Sequence, residues 1–169
     1  MGGLLAYNLA TTYKVNKLIL SAPAFYLKKN KEYKLLKFLM KPPVYWFVNL
    51  LFPFLPKKIC QGRLTIIDSM DNENLSSHLT YLAVPPQSAF SVIRLQDKSQ
   101  TPRHLKCDHI QVLYGKHDGT INTKRFIEKY SNTIKFEHEL ELNNTAHHPY
   151  RDLDKNIAIA QTMKWLTST

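Results

Sequence analysis

Three short segments carry residue types that do chemistry together. Tyr114-Gly115-Lys116-His117-Asp118-Gly119-Thr120-Ile121 closes an apolar run and sets an aspartate in a turn. Asn143-Asn144-Thr145-Ala146-His147-His148-Pro149-Tyr150 follows an alternating run and sets two histidines before a proline. Met1-Gly2-Gly3-Leu4-Leu5-Ala6 enters an apolar segment through small residues. A carboxylate beside a histidine fixes the imidazole tautomer and stabilises its cation while the ring takes a proton from a nucleophile. Asp118 and His147 are the candidate pair, and His148 competes for the histidine's place. On residue type alone Asp118 reads more readily as an ordinary turn aspartate. His104, His109 and His117 read as solvated or packed side chains. His104, Cys107, Asp108 and His109 include metal-ligand types, but they enter a strand whose backbone the ladder needs, so no metal site is expected. Asp68, Asp71 and Glu73 lack the spacing and the glycine of a calcium loop.

These side chains need elements to position them. Leu4, Leu5 and Leu9 with Ala6 and Ala10 predict a helix over 2–13. The run at 15–23 predicts a short buried strand, ended by Ala22-Pro23. Short helices are expected at 31–40, 43–52, 72–82 and 86–96. The run at 109–115 predicts a second strand, followed by a helix over 122–131 with Thr120 or Asn122 near its N-cap. Residues 135–142 alternate, with Phe136, His138, Leu140 and Leu142 on one face and Glu137, Glu139 and Glu141 on the other. That much charge suits the edge of a sheet. A closing helix over 152–166 is expected to turn Ile157, Ala160, Met163, Trp165 and Leu166 inward. Alternating strands and helices predict an α/β fold with about three parallel strands. Functional loops of such a sheet collect at the carboxyl ends of its strands.

Composition narrows the class. Hydrophobic residues make up 44% of the 169, too many for a disordered chain. The net charge of +10 is uneven: residues 1–60 hold ten lysines and one acid, Glu32, while 61–169 hold thirteen basic and twelve acidic residues. Such a field attracts anions. Between 28 and 58 the lysines are interleaved with Leu, Phe, Trp and Val. That mixture suits a lipid or acyl substrate, or the surface of an anionic membrane, better than nucleic acid, and no nucleic-acid partner is expected. A solvated helix face is the plain alternative. Two cysteines, Cys60 and Cys107, make no disulfide framework, and the expected setting is reducing and cytoplasmic. The N-terminus lacks the basic stretch of a secretory signal. The longest apolar stretch, Val44 to Leu55, is about a dozen residues where a spanning helix needs about 20.

In these motifs the chain resembles the C-terminal part of an α/β-hydrolase, a serine hydrolase of the carboxylesterase, monoacylglycerol lipase or lysophospholipase kind. MGGLLAYNLA looks like the half of a G-x-S-x-G nucleophile elbow that follows the serine. LILSAP, a Y-G-x-x-D turn and an A-H-x-P turn follow in the family's order, so the resemblance covers nearly the whole chain. It implies a core at 1–26 and 101–169 with a helical cap inserted at 27–100. It implies that His147 is the general base, that Asp118 orients it, and that His148 is a spacer. No cofactor is implied. The serine would stand directly before Met1, whose backbone amide would serve the oxyanion hole. No two glycines of the chain flank a serine as an elbow does. The chain by itself is therefore expected to be inactive on the small-molecule acyl esters that the family hydrolyses. An apolar wall of Tyr45, Trp46, Phe47, Leu51 and Phe54 would meet the acyl chain. The strand at 15–21 would expose an apolar edge, so the chain is expected to self-associate or to need an N-terminal fragment. The alternative is a non-catalytic remnant whose basic, apolar surface binds anionic membrane.

Overall fold

The computed structural model describes residues 2–28, 31–51, 69–71 and 86–168. The expected helix at 72–82, and Met1 and Phe54, lie outside them.

The elements in chain order are α1 (Gly2–Thr12), β1 (Val15–Ser21), α2 (Lys31–Leu39), α3 (Val44–Leu51), α4 (Pro86–Ser99), β2 (Cys107–Gly115), α5 (Thr123–Tyr130), β3 (His138–Leu142) and α6 (Lys155–Thr167). The sheet order is β1-β2-β3 and both pairs are parallel. Val15 to Ser21 lie against Cys107 to Leu113, and Gln111 to Gly115 against His138 to Leu142. All three carboxyl ends therefore point to one rim. β2 is central, and Ile110 to Gly115 are buried without a break because both faces are covered. β3 lies at the glutamate-bearing edge. Pairing starts at His138 rather than at 135. Ahead of it, Phe136 turns onto Phe126 with ring centroids 5.5 Å apart, and Glu137 accepts the Trp165 indole N–H at 3.1 Å.

The two faces of the sheet are filled unequally. On one side α1 buries Leu4, Tyr7 and Ala10, one stripe of its surface. They meet Phe25, Phe126 and Tyr130 in a ring cluster: Tyr7 stands edge-on to Phe25 at 4.9 Å, and Phe25 stacks on Phe126 at 4.2 Å. α4 joins this layer. Phe90, Ile93, Gln96 and Ser99 are buried, Gln96 donates to the Ala24 carbonyl at 2.5 Å, and Asn8 donates to the Ser99 hydroxyl at 2.8 Å. The segment read as an insertion thus ends in a helix that packs on the core.

Among the described residues, the core cluster on the other face is small: Leu113, Leu142 and Ala158, with Ile19, Leu140 and Tyr150 partly buried around them. Here the sequence expectation for α6 is corrected. Ala158, Thr162 and Trp165 are its buried residues, while Ile157, Ala160, Met163 and Leu166 are exposed. A three-stranded face is too narrow to cover more than one stripe of a helix, and small Ala158 brings that stripe close. Lys17 of β1 fixes the end of α6, donating to the carbonyls of Trp165 and Leu166 at 3.1 and 2.9 Å, which are orphan acceptors of its last turn.

Candidate active site

β2 ends at Gly115, and the turn after it carries Asp118, which is only 3% exposed. Its Oδ1 accepts the backbone N–H groups of Thr120 and Ile121 at 2.9 and 2.8 Å, the local bonding that lets aspartate shape a turn. The Lys28 ammonium donates to its backbone carbonyl. Its Oδ2 faces Nδ1 of His147 at 2.9 Å. Burial alone pushes the Asp118 carboxyl up. The hydrogen bond from His147 and the N–H groups of Ile121 and Thr120 outweigh it and hold the group below the usual carboxylate range. An ionised carboxylate only accepts, so Nδ1 carries the proton and Nε2 of a neutral ring is left as a base. The ring that meets Asp118 is that of His147; the His148 ring stands beside it with centroids 4.9 Å apart.

The loop bearing His147 is tied down on both sides. His117 N–H donates to the Thr145 carbonyl at 3.0 Å, and the Asn144 N–H to Asp154 at 2.6 Å. Gly115 lies so close to this loop that a Cβ built on it would sit 2.0 Å from the Ala146 carbonyl oxygen. Asp152, fully buried, accepts the Ala146 N–H at 2.7 Å. The same carboxylate accepts the N–H of Met70 at 3.0 Å, of Asp71 at 2.9 Å and of Leu153 at 3.0 Å, and the Ser69 hydroxyl at 3.2 Å. It clips the stretch 69–71 to the residue before His147. Burial raises its pKa, but the N–H bonds from Ala146, Met70 and Leu153 bring it below the ordinary value. Sequence reading passed over Asp152 because nothing local marks it; its only signal is an acid five residues after the histidine. Asp152→Ala is expected to cost about 2–3 kcal/mol, since several buried N–H groups lose a charged acceptor at once. Urea unfolding measures this.

His147 opens onto a hollow of about 450 Å³ lined also by Gly2, Gly3, Ala6, Ser21 and Ala22. The first turn of α1 and the end of β1 thus look at the same space as the base. Ala22 has φ 38°, a left-handed conformation that L-residues other than glycine seldom adopt. Four of the five residues of the expected acyl wall, Tyr45, Trp46, Phe47 and Leu51, are described. Tyr45 packs on Phe90 at 5.6 Å, and Trp46 and Phe47 line a separate apolar hollow of about 790 Å³. Leu51 is exposed. None of these four lines the hollow at His147.

No protein-family model matches the chain, and no curated protein matches it in sequence. Solved structures do match in shape. A Paleococcus ferrophilus monoacylglycerol lipase superimposes with TM-score 0.66 at 16% identity over 99% of this chain. The carboxylesterase CesB (YbfK) from Bacillus subtilis does so with TM-score 0.50 at 12% identity, also over 99%. The chain has a partial α/β-hydrolase fold. It spans 65% of the lipase's length and 57% of the esterase's. Asp118 and His147 follow β2 and β3 in that order.

Proposed function

We propose that the protein is a carboxylic ester hydrolase of the serine type, with His147 as general base and then general acid, and Asp118 holding its ring. The observation that carries this is the 2.9 Å contact between Asp118 Oδ2 and His147 Nδ1, which leaves Nε2 available beside the first turn of α1. The nucleophile in this reading is a serine directly before Met1, completing G-x-S-Met1-Gly2 as an elbow. Its hydroxyl attacks the ester carbonyl as His147 takes the proton. The Met1 amide is one donor to the tetrahedral oxyanion. His147 then protonates the departing alcohol, and water, deprotonated by the same ring, releases the acid. The lipase and esterase likenesses support small acyl esters as substrates; within that class the proposal takes the acyl-glycerol or lysophospholipid type.

The test joins sequence to kinetics. The reading frame ahead of Met1 is expected to encode Gly-x-Ser. The chain extended through that serine should hydrolyse p-nitrophenyl acyl esters and lose this with His147→Ala. The 169 residues alone should show no turnover above buffer. Turnover by the 169 residues that vanishes with His147→Ala would instead place the nucleophile within them, with Ser21, which lines the same hollow, the first to replace.

A further inference from the structure

α2 and α3 form a short helical pair whose outer surface is both apolar and basic. On α3, Trp46, Phe47 and Leu50 are 75%, 62% and 67% exposed. Their spacing places all three within about 100° of the helix circumference. They line the open apolar hollow of about 790 Å³ together with Pro43 and Val44. The orientation is set from behind: Tyr45 packs on Phe90, and the Arg94 guanidinium lies 5.3 Å from the Tyr45 ring centroid, so the opposite face must point outward. On α2, Leu35 and Phe38 are also more than half exposed, three residues apart and so on one face. Lys34 and Lys41 are exposed beside them, and Lys37 pairs with Asp97 at 3.0 Å. Over 31–51 the sequence has four lysines and one acid.

We propose that this α2–α3 surface docks on an anionic lipid bilayer, with Trp46, Phe47 and Leu50 entering the headgroup–acyl boundary and Lys34 and Lys41 meeting the lipid phosphates. The observation that selects this occupant is an exposed apolar patch on α3 beside a basic stretch: over 31–51 four lysines stand against one acid, Lys34 and Lys41 are exposed, and the Asp97 carboxylate at this surface is paired with Lys37. A second copy of the chain would cover the apolar residues but bring the same lysines against one another. A nucleic acid would use the lysines and leave Leu50 and Phe47 in water. A bilayer with anionic headgroups satisfies both, and tryptophan favours that boundary layer. Among the described residues no helix is long and apolar enough to cross a membrane, so the contact is peripheral. Binding at this surface is separate from the Asp118–His147 pair and stands whether or not that pair acts on an ester.

The chain reports on itself, because it has two tryptophans and the other, Trp165, is buried, 8% exposed, and hydrogen-bonded to Glu137. Phosphatidylglycerol–phosphatidylcholine vesicles should shift the tryptophan emission to the blue and sediment the protein. Pure phosphatidylcholine vesicles should bind it at least about tenfold more weakly. Trp46→Phe should remove the emission shift. Phe47→Asp with Leu50→Asp should abolish sedimentation, and Lys34→Glu with Lys41→Glu should remove the preference for anionic lipid. These positions are exposed, and circular dichroism should find each variant folded. The proposal is overturned if anionic vesicles do not sediment the protein, or if the Phe47/Leu50 variant sediments as well as the parent. It is equally overturned if the patch variants change only the size of a protein oligomer.

Discussion

Gly115→Ala is expected to lower stability by about 3 kcal/mol or more and to displace the loop bearing His147. The reason is space and not backbone freedom, since no glycine among the described residues has positive φ. An alanine methyl at this position would sit 2.0 Å from the Ala146 carbonyl oxygen and 2.2 Å from that of Thr145. Both are backbone atoms of a loop anchored by Asp152 and by the His117 N–H, so neither can swing aside as a flexible side chain would. The strain falls on the residue beside His147 and should lengthen the contact to Asp118. At the urea sensitivity of a small domain, the unfolding midpoint should drop by roughly 1–3 M. Gly2→Ala is the control: nothing lies within 4 Å of its added methyl, and a helical alanine should be neutral or slightly stabilising. A Gly115→Ala protein as stable as its parent would mean that the β2 end and the His147 loop do not approach as described.

Asp118→Asn should leave the turn in place and remove the reason for its chemistry. In the chain extended through a nucleophilic serine, kcat is expected to fall about 10⁴-fold, because an amide can present N–H to Nδ1 and turn the wrong tautomer to the substrate. A fall of less than about tenfold would remove Asp118 from the role proposed for it. The same variant has a pH signature that needs no catalysis. The folded-state pKa of Asp118 is depressed, so its contribution to stability is complete above the unfolded value of about 3.9 and is lost as pH falls through the lower folded value. Parent and variant should therefore differ in urea stability near neutral pH and converge at strongly acid pH. Asp152, also depressed, stays in both proteins and does not blur the comparison.

The Asp152 carboxylate joins two regions that sequence separates widely. One oxygen accepts the Ala146 N–H beside the base and shares the Met70 N–H with the other, which also accepts from Asp71 and Ser69, within the stretch expected to form a cap. Residues 69–71 and the His147 loop thus share one buried carboxylate.

Much of the core was legible because it is local. The short apolar runs at 15–21 and 109–115 mark strands by length and bounding turns, and the alternation ending at Leu142 marks one by period. Asn122 caps α5 through its side chain, which accepts the Arg125 N–H, as the residue type suggests. Asp118 and His147 were candidates by type and order. The resemblance implied that Asp118 orients His147, and the two side chains stand 2.9 Å apart; what residue type alone could not show is the parallel register that brings the ends of β2 and β3 to one rim. The α6 face was misread for a related reason. Periodicity says that a helix has an apolar side, but which residues are covered depends on the width of the surface beneath, and among the described residues three strands lie there. The sequence could likewise show that Tyr45, Trp46 and Phe47 are apolar, but not that Tyr45 turns inward to Phe90 while Trp46 and Phe47 face water. Residue type and spacing therefore determined most of the elements, and the motifs' resemblance to a family singled out the candidate acid and base. The burial of Asp152, the tight approach at Gly115 and the outward turn of Trp46 were decided by tertiary packing, because each depends on atoms distant in the chain.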